Sequence, residues 1–309
     1  MIKGINLTLM IGPGIPVPVP QDVLDALTNV EITTASGRAS GFQLSFSIST
    51  RSPLQTIFLL SGGSLPPIMR VILIATINGA TTVLMDGVIT NHEVTPGTEN
   101  GKATLTLTGE DLTAVMNYID FSGFPYPAMP AEARVLVILA KYAFLGIIPM
   151  VIPSILLDVP IPVFEIPRHQ GKDLEYVKAL ADRVGYVFYL EPGPMPGMNT
   201  AYWGPEIKVG APQPALNTNM DALTNVESLS FTFDPEKKRM PVLVIQEPIS
   251  KAPIGIPVPD ITPLNPPLGA IIPFPKNFDF ISETANLNPL QAAVIGLTKA
   301  AQTSDAVFG

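Results

Sequence analysis

The sequence predicts a mainly β protein with an α/β insertion, and three features support this fold class. Residues 40–49 ("SGFQLSFSIS") alternate between apolar and polar side chains, as expected for a half-buried strand. Asn78-Gly79 separates two strand-like runs, and both central residues of a type I′ hairpin turn need positive φ angles. Helical periodicity appears only after residue 109, so the helices follow a first β unit.

The first predicted domain covers residues 1–118 and is an antiparallel barrel or sandwich. Its first strand is expected at 5–11, and a further strand in "KATLTLTG" follows the hairpin. A helix should close the unit, because apolar residues in "EDLTAVMNYIDF" recur at helical spacing. These apolar residues are Leu112, Val115, Met116 and Ile119.

The predicted insertion covers residues 119–219. A buried helix is expected at Ala131–Leu145, followed by extended chain because Pro149 and Pro153 would break a helix. A membrane-spanning helix is the alternative for this apolar stretch. It is disfavoured because a span needs about 20 nearly uninterrupted apolar residues, and Lys141 and the prolines interrupt this one.

The stretch "GKDLEYVKALADRVGYVFYLEPG" predicts a helix joined tightly to a strand. Asp173 is a plausible N-cap, Glu175 suits the first turn, and Gly185 suits the position that ends the helix. The apolar face comprises Leu174, Val177, Leu180, Ala181 and Val184. "YVFYL" then predicts a strand that packs against this helix.

The C-terminal part predicts strands within 220–246 that return to the first β unit. Residues 247–309 form a third segment, which begins with a proline-dense run that favours extended backbone. Because this run is apolar, it is expected to lie against another surface. A last helix should begin near Asn288-Pro289, where a capping residue precedes proline.

Composition favours an assembled protein. The chain has 309 residues, of which 47% are hydrophobic and only 14% charged, so partners are expected to cover much of its surface. A monomer with an uncharged polar surface is the alternative. The net charge of −8, without a basic cluster, argues against nucleic-acid and membrane binding. The chain has no cysteine, and its start is a poor secretory signal.

No catalytic, cofactor or metal site is predicted. His92 and His169 are expected to be solvent-exposed loop residues, because neither lies in a metal-binding or hydrolase motif. Glu110-Asp111 should stabilise a helix start rather than act as a carboxylate pair. Trp203 is expected to be a packing anchor.

The heptapeptide "DALTNVE" occurs at 25–31 and again at 221–227. Both copies precede alternating sequence, so we interpret the repeat as a turn and strand-entry signal used twice. Convergent turn chemistry is the alternative, because the flanking residues differ.

The order of several motifs resembles hub proteins of contractile tails. "SGFQLSFSIS" is followed by "VLMDGVIT", then by "QGKDLEYVKALADRVGYVFYLEPG" and "AYWGPE". The chain resembles the phage late control D family, the hub domain of T-even phage baseplates, and the N-terminal part of type VI secretion spike proteins. The likeness is greatest to hubs of phage tails and extracellular contractile injection systems.

The resemblance implies two tail-tube-like β-barrels with an α/β insertion. Residues 1–118 would form the first barrel, and residues 119–219 would contain the insertion and part of the second barrel. It also implies a non-enzymatic homotrimeric ring that adapts a hexameric inner tube to a trimeric spike, with other baseplate proteins as neighbours. The particle would be a phage virion or an injection machine assembled in the bacterial cytoplasm. Such hubs continue with further strands, so the second barrel is expected to be incomplete here.

Two other functions remain open from the residues. A tail-associated peptidoglycan hydrolase would use acids or a histidine such as Glu110, Asp173 and His169. A carbohydrate-binding β module would use Trp203 and Tyr202, since aromatic rings bind sugar faces.

Overall fold

The chain divides into two compact units. The first comprises Met1–Leu180 and Val187–Gly204, and the second comprises Ala181–Tyr186 and Pro205–Gly309. The computed structural model describes residues 5–34, 39–48, 68–97, 103–154, 160, 162–163, 166–207, 215–219, 224, 226, 228–230, 232–233, 239–246, 252–258, 276–281, 295–297, 300 and 307–308.

A seven-stranded antiparallel sheet forms the centre of the first unit. Its strands are β1 Ile5–Pro13, β2 Val17–Pro18, β3 Leu27–Thr33, β4 Gly41–Ile48, β5 Met69–Ile77, β6 Ala80–Pro96 and β7 Ala103–Asp111. Their order is β2-β1-β5-β6-β7-β4-β3, and a short helix α1 (Gln21–Asp25) precedes β3. The mainly β prediction is therefore confirmed. Among the described strands the sheet is open, because β2 and β3 are its edges.

One face of this sheet carries the main hydrophobic core. The alternation predicted for β4 is confirmed, because Phe42, Leu44, Phe46 and Ile48 are all buried. Leu9 of β1 belongs to the same core cluster, although three strands separate β1 from β4. The sheet therefore curls around its own core, as strongly twisted sheets do.

The predicted Asn78-Gly79 hairpin is confirmed and sets the register of β5 against β6. Asn78 has a φ of 52° and Gly79 a φ of 86°, which are the positive angles that a type I′ turn requires. Ile77 pairs with Ala80 directly across the turn.

The predicted helix after β7 is shorter than expected. Leu112–Asn117 form a 3₁₀ helix, with Leu112, Val115 and Met116 buried, but Ile119 lies beyond its end and is exposed. Asp111 caps this helix, because its carboxylate accepts hydrogen bonds from the amides of Thr113 and Ser40. Such helices are rarely longer than a few residues.

The predicted helix 131–145 is divided into two pieces. Helix α2 spans Ala131–Ala140, and a 3₁₀ turn follows at Ala143–Leu145. Gly146, with a φ of 76°, then leads into a strand. A Cβ at Gly146 would lie 2.0 Å from the carbonyl oxygen of Gly197, so a glycine is needed there. No helix in the described part of the chain is long and apolar enough to cross a membrane.

A three-stranded sheet and a helix form the rest of residues 119–219, the segment that we call the insertion. Helix α3 spans Asp173–Val184, and the strands are β8 Ile147–Val151, β9 Tyr186–Pro192 and β10 Asn199–Pro205. Their order is β8-β10-β9, with β8 parallel to β10. The predicted helix end at Gly185 and the strand after it are confirmed.

The second unit contains two small sheets. The strands are β11 Thr232–Phe233, β12 Arg239–Gln246, β13 Pro253–Pro257, β14 Asn277–Ile281 and β15 Val307–Phe308. β12 lies between β13 and β14, while β11 pairs with β15. Among the described strands, β11 and β12 pair only with β13, β14 and β15. The return of residues 220–246 to the first β unit therefore stays a prediction. The predicted helix start at Asn288-Pro289 and most of 247–280 lie outside the described residues.

The first DALTNVE copy contains the turn and strand that it was expected to introduce. Asp25 ends α1, and β3 begins at Leu27. A register irregularity between Leu27 and Asn29 lies within the motif. In the second copy only Thr224 and Val226 are described, so the proposed equivalence of the copies is not tested.

Candidate functional site

The two histidines do not occupy the exposed loops predicted for them. His92 lies within β6, half-buried and opposite Leu107 of β7. His169 is only 1% exposed. Its segment pairs with residues 120–125 through bridges between Asp120 and Lys172 and between Pro125 and Arg168. This pairing draws His169 into the interior, which the local sequence did not reveal.

His169 is enclosed by aromatic side chains. The Tyr126 hydroxyl is 2.9 Å from Nδ1, and the ring of Tyr176 has its centroid 4.4 Å from that of the imidazole. The other nitrogen, Nε2, lies 3.4 Å from Oδ1 of Asp173 without a hydrogen-bond partner. If Tyr126 donates to Nδ1, the proton of a neutral imidazole is on Nε2 and faces Asp173.

Asp173 is the centre of this buried polar group. Its side chain is fully buried and accepts hydrogen bonds from Lys141 Nζ at 2.7 Å and from the Tyr142 hydroxyl at 2.5 Å. The Lys141 ammonium also lies 3.7 Å from the ring centroid of Phe121, a favourable cation–π distance.

The predicted N-cap role of Asp173 is wrong by one residue. Asp173 is the first residue of α3, and its carboxylate faces other elements of the fold. Glu175 instead reaches back to the amide of Lys172, 3.3 Å away, as the acid of a capping box does. The chain thus frees Asp173 for tertiary contacts while still satisfying the helix start.

Burial controls the protonation of this group. It lowers the pKa of His169, and the nearby Asp173 charge only partly offsets that effect. Burial, followed by the charge of Asp173, raises the pKa of Tyr126 to about 12. Burial and the hydrogen bond to Asp173 raise the pKa of Tyr142 as well. Both phenols therefore stay protonated, and His169 stays neutral, at neutral pH.

The stability of the protein should depend on the pH through His169. Its pKa is lowered in the folded state, so below about pH 6.5 the unfolded chain binds a proton that the folded protein resists. The free energy of unfolding should then fall with decreasing pH, by at most about 1.4 kcal/mol per pH unit for one group. Above about pH 6.5 His169 is neutral in both the folded and the unfolded state, so it causes no loss of stability there.

Urea denaturation at several pH values between 5 and 8 measures this effect. His169→Gln should flatten the pH dependence, whereas the matched variant His92→Gln, at a half-buried strand position, should leave it nearly as steep as in the wild type. Equal slopes for the wild type and His169→Gln would show that His169 does not titrate differently in the folded state.

The structure brings together only two of the three residues proposed for a hydrolase. Asp173 and His169 are adjacent, but both are buried. Glu110 is an exposed residue of β7, where its charge and, more strongly, burial raise the pKa of Tyr118. No group of three potential metal ligands occurs in the part of the chain that the structure describes.

A second buried polar group, which the sequence reasoning missed, joins the large sheet to the insertion. Arg70 of β5 and Asp86 of β6 form a bidentate pair with two 2.7 Å hydrogen bonds. Asn199 of β10 donates to Asp86 at 2.8 Å, and Arg70 donates to the carbonyl of Gly197 at 3.0 Å. A charge within the apolar runs "IMRVILI" and "LMDGVI" was the available signal.

Trp203 is a packing residue, as predicted, and its burial argues against the sugar-binding hypothesis. The side chain is fully buried in β10, and its indole N–H lies 3.4 Å from the carbonyl oxygen of Val177 in α3. Tyr202 points to the other face of the strand and stacks on Tyr189 with ring centroids 5.0 Å apart. A fully buried indole cannot contact a saccharide.

The outer face of the insertion sheet is apolar and exposed. Met150 of β8 is 52% exposed beside Tyr202 of β10, and Ile148 is 45% exposed beside Thr200. Helices cover the opposite face, where Trp203 packs. Because exposed apolar surface of this kind marks interaction sites, this face of the sheet is a candidate for contact with another chain.

Comparison with known proteins gives structural matches only. No protein-family model matches the sequence, and no curated protein sequence matches it. A tail protein from Neisseria meningitidis superposes with a TM-score of 0.56 and 14% identity, covering 96% of this chain and 75% of that one. The 43 kDa tail protein of a Shewanella oneidensis prophage gives 0.55 and 13%, covering 94% and 77%.

A Francisella PdpA–VgrG complex is a third structural neighbour. Its TM-score is 0.51 with 12% identity, and the match covers 91% of this chain but 44% of the neighbour's. At such low identities the similarity establishes the fold rather than the function. The chain therefore has the fold of phage tail proteins, and the resemblance to contractile-tail proteins indicated by its sequence motifs is confirmed at that level.

Proposed function

We propose that this protein is the structural baseplate hub of a contractile tail or injection machine. Three copies would form a ring that joins a hexameric inner tube to a trimeric spike, within a phage virion or injection particle. The observation that supports this most is the fold match over 96% of the chain to a tail protein from Neisseria meningitidis. The Francisella neighbour, a complex that contains VgrG, supports a spike protein as one partner.

Surface chemistry also favours an assembled, non-enzymatic role. Only 14% of residues are charged, and large apolar side chains are exposed in both units. In the second unit, Phe278 and Phe280 of β14 are 50% and 71% exposed. Partner chains would remove these side chains from water, which stabilises an assembly by about 25 cal/mol per Å² of apolar surface buried.

The mass of the purified protein in solution tests the trimer. Light scattering after size-exclusion chromatography should give three chain masses, and electron microscopy should show a threefold ring.

Met150→Glu should weaken the assembly if the exposed face of the insertion sheet lies in a contact. Thr81→Glu adds the same charge at the exposed hairpin and serves as the matched control. A monomer at tens of micromolar, without a ring, would contradict the proposal.

A further inference from the structure

Lys141 and Asp173 meet in a geometry that suits more than an ion pair. Lys141 directly follows helix α2, and Asp173 begins helix α3. The lysine nitrogen lies 2.7 Å from one carboxylate oxygen and 2.6 Å from the other. The Asp173 side chain is completely buried, and that of Lys141 is 35% exposed. The amine is thus held within hydrogen-bond distance of both oxygens of a single buried carboxyl group.

Two further groups are placed where amide formation would need them. The Tyr142 hydroxyl donates to Oδ2 of Asp173 at 2.5 Å, so it can stabilise negative charge on that oxygen. His169 Nε2 lies 3.4 Å from Oδ1 and has no hydrogen-bond partner, although it is buried. An unpartnered buried nitrogen beside a reacting oxygen is available to carry a proton.

We propose that Lys141 and Asp173 form an intramolecular isopeptide bond between Nζ and Cγ. The reacting form of the pair is an amine beside a carboxylic acid, which the transfer of one proton along the 2.7 Å hydrogen bond from Nζ to Oδ1 produces. The fixed approach of the two groups replaces a bimolecular encounter, and such orientation corresponds to effective molarities of about 10⁵–10⁸ M. Phe121 covers the lysine nitrogen and limits the access of water.

The reaction balances without any further reagent. The lone pair of Nζ attacks Cγ, and the carbonyl π electrons move to Oδ2, which accepts the Tyr142 hydrogen bond. With the imidazole proton on Nδ1, the free Nε2 of His169 takes a proton from the positively charged Nζ and passes it to the Oδ1 hydroxyl. This hydroxyl leaves as water when the C–O bond breaks. Lysine and aspartic acid are converted into one amide and one water, and His169 and Tyr142 are unchanged.

The bond would join the end of α2 covalently to the start of α3. These helices are otherwise linked by the hydrogen bond from Arg134 to the Tyr176 hydroxyl and by packing. A covalent link there would prevent the two helices from separating under load. This inference does not depend on the hub proposal, and its failure would leave that proposal unaffected.

Mass spectrometry of the denatured full chain tests the bond directly. The wild-type protein should have the mass of its sequence minus one water, and digestion should yield one branched peptide containing Lys141 and Asp173. Lys141→Arg should restore the full sequence mass. Lys172→Arg, which changes a lysine next to Asp173 in sequence, should retain the loss of water.

The role of His169 has its own readout. His169→Ala should give a mixture of bonded and unbonded chains shortly after purification, with the bonded fraction increasing over days, because the proton carrier is missing. An unfolded wild-type chain that has the full sequence mass, with separate Lys141 and Asp173 peptides, would overturn the inference. Because the mass of the wild-type chain decides this outcome, it does not depend on whether any variant folds.

Discussion

Replacing Asp86 with alanine is expected to lower the free energy of unfolding by about 3–5 kcal/mol, the largest electrostatic effect that we predict. Asp86 is 1% exposed and accepts hydrogen bonds from Arg70 and Asn199. Removing the carboxylate would leave the Arg70 guanidinium buried and uncompensated. Urea denaturation followed by circular dichroism would measure the change.

An exposed ion pair in the second unit provides the matched control. Arg239 and Asp279 lie 3.2 Å apart, but their side chains are 53% and 46% exposed. Asp279→Ala should therefore change the free energy of unfolding by less than about 1 kcal/mol. If Asp86→Ala were as mild as this control, the buried pair would not hold the insertion against the sheet.

Trp203→Ala should be the most damaging change to the hydrophobic packing, costing about 3–5 kcal/mol of stability. The fully buried indole fills the space between the insertion sheet and α3, and alanine would leave a cavity there. Thermal unfolding should show a clearly lower midpoint, because about 1 kcal/mol shifts the midpoint of a domain this size by several degrees.

Tyr202→Ala, on the opposite face of the same strand, separates packing from surface effects. Tyr202 is half-exposed, so its loss should cost much less than the loss of Trp203. A binding assay with glycans adds a second measurement. If Trp203→Ala removed glycan binding without changing the unfolding midpoint, the indole would be a ligand contact and not a packing residue.

The sequence predicted those elements whose signal is local. The alternation in β4, the Asn78-Gly79 hairpin and the α3–β9 junction depend on spacing and turn chemistry within a few residues of each other. The structure confirms all three. Boundaries were less accurate, as in the helix expected to continue through Ile119, which ends at Asn117 as a short 3₁₀ helix.

The buried polar groups could not be predicted because their partners are distant in sequence. His169 is buried by pairing with residues 120–125, and Asp86 meets Asn199 across 113 positions. No local pattern distinguishes such residues from exposed ones. Only the position of Arg70 and Asp86 within apolar strands gave a clue, since a charge there needs a buried partner.

Pro149 in β8 affects how partners can approach the insertion. β8 is an edge strand of its sheet among the described strands. The amide of Asn199 donates to the carbonyl of Gly146, and the amide of Ile152 donates to the carbonyl of Trp203, so the even-numbered residues of this segment form hydrogen bonds towards β10. The nitrogen of Pro149 therefore lies on the free side, where it has no hydrogen to donate. A strand from another chain that paired with β8 would lack a hydrogen-bond donor at the middle of β8. Pro149 thus disfavours the addition of a strand to this edge of the sheet, and partners are expected to contact the face of the sheet instead.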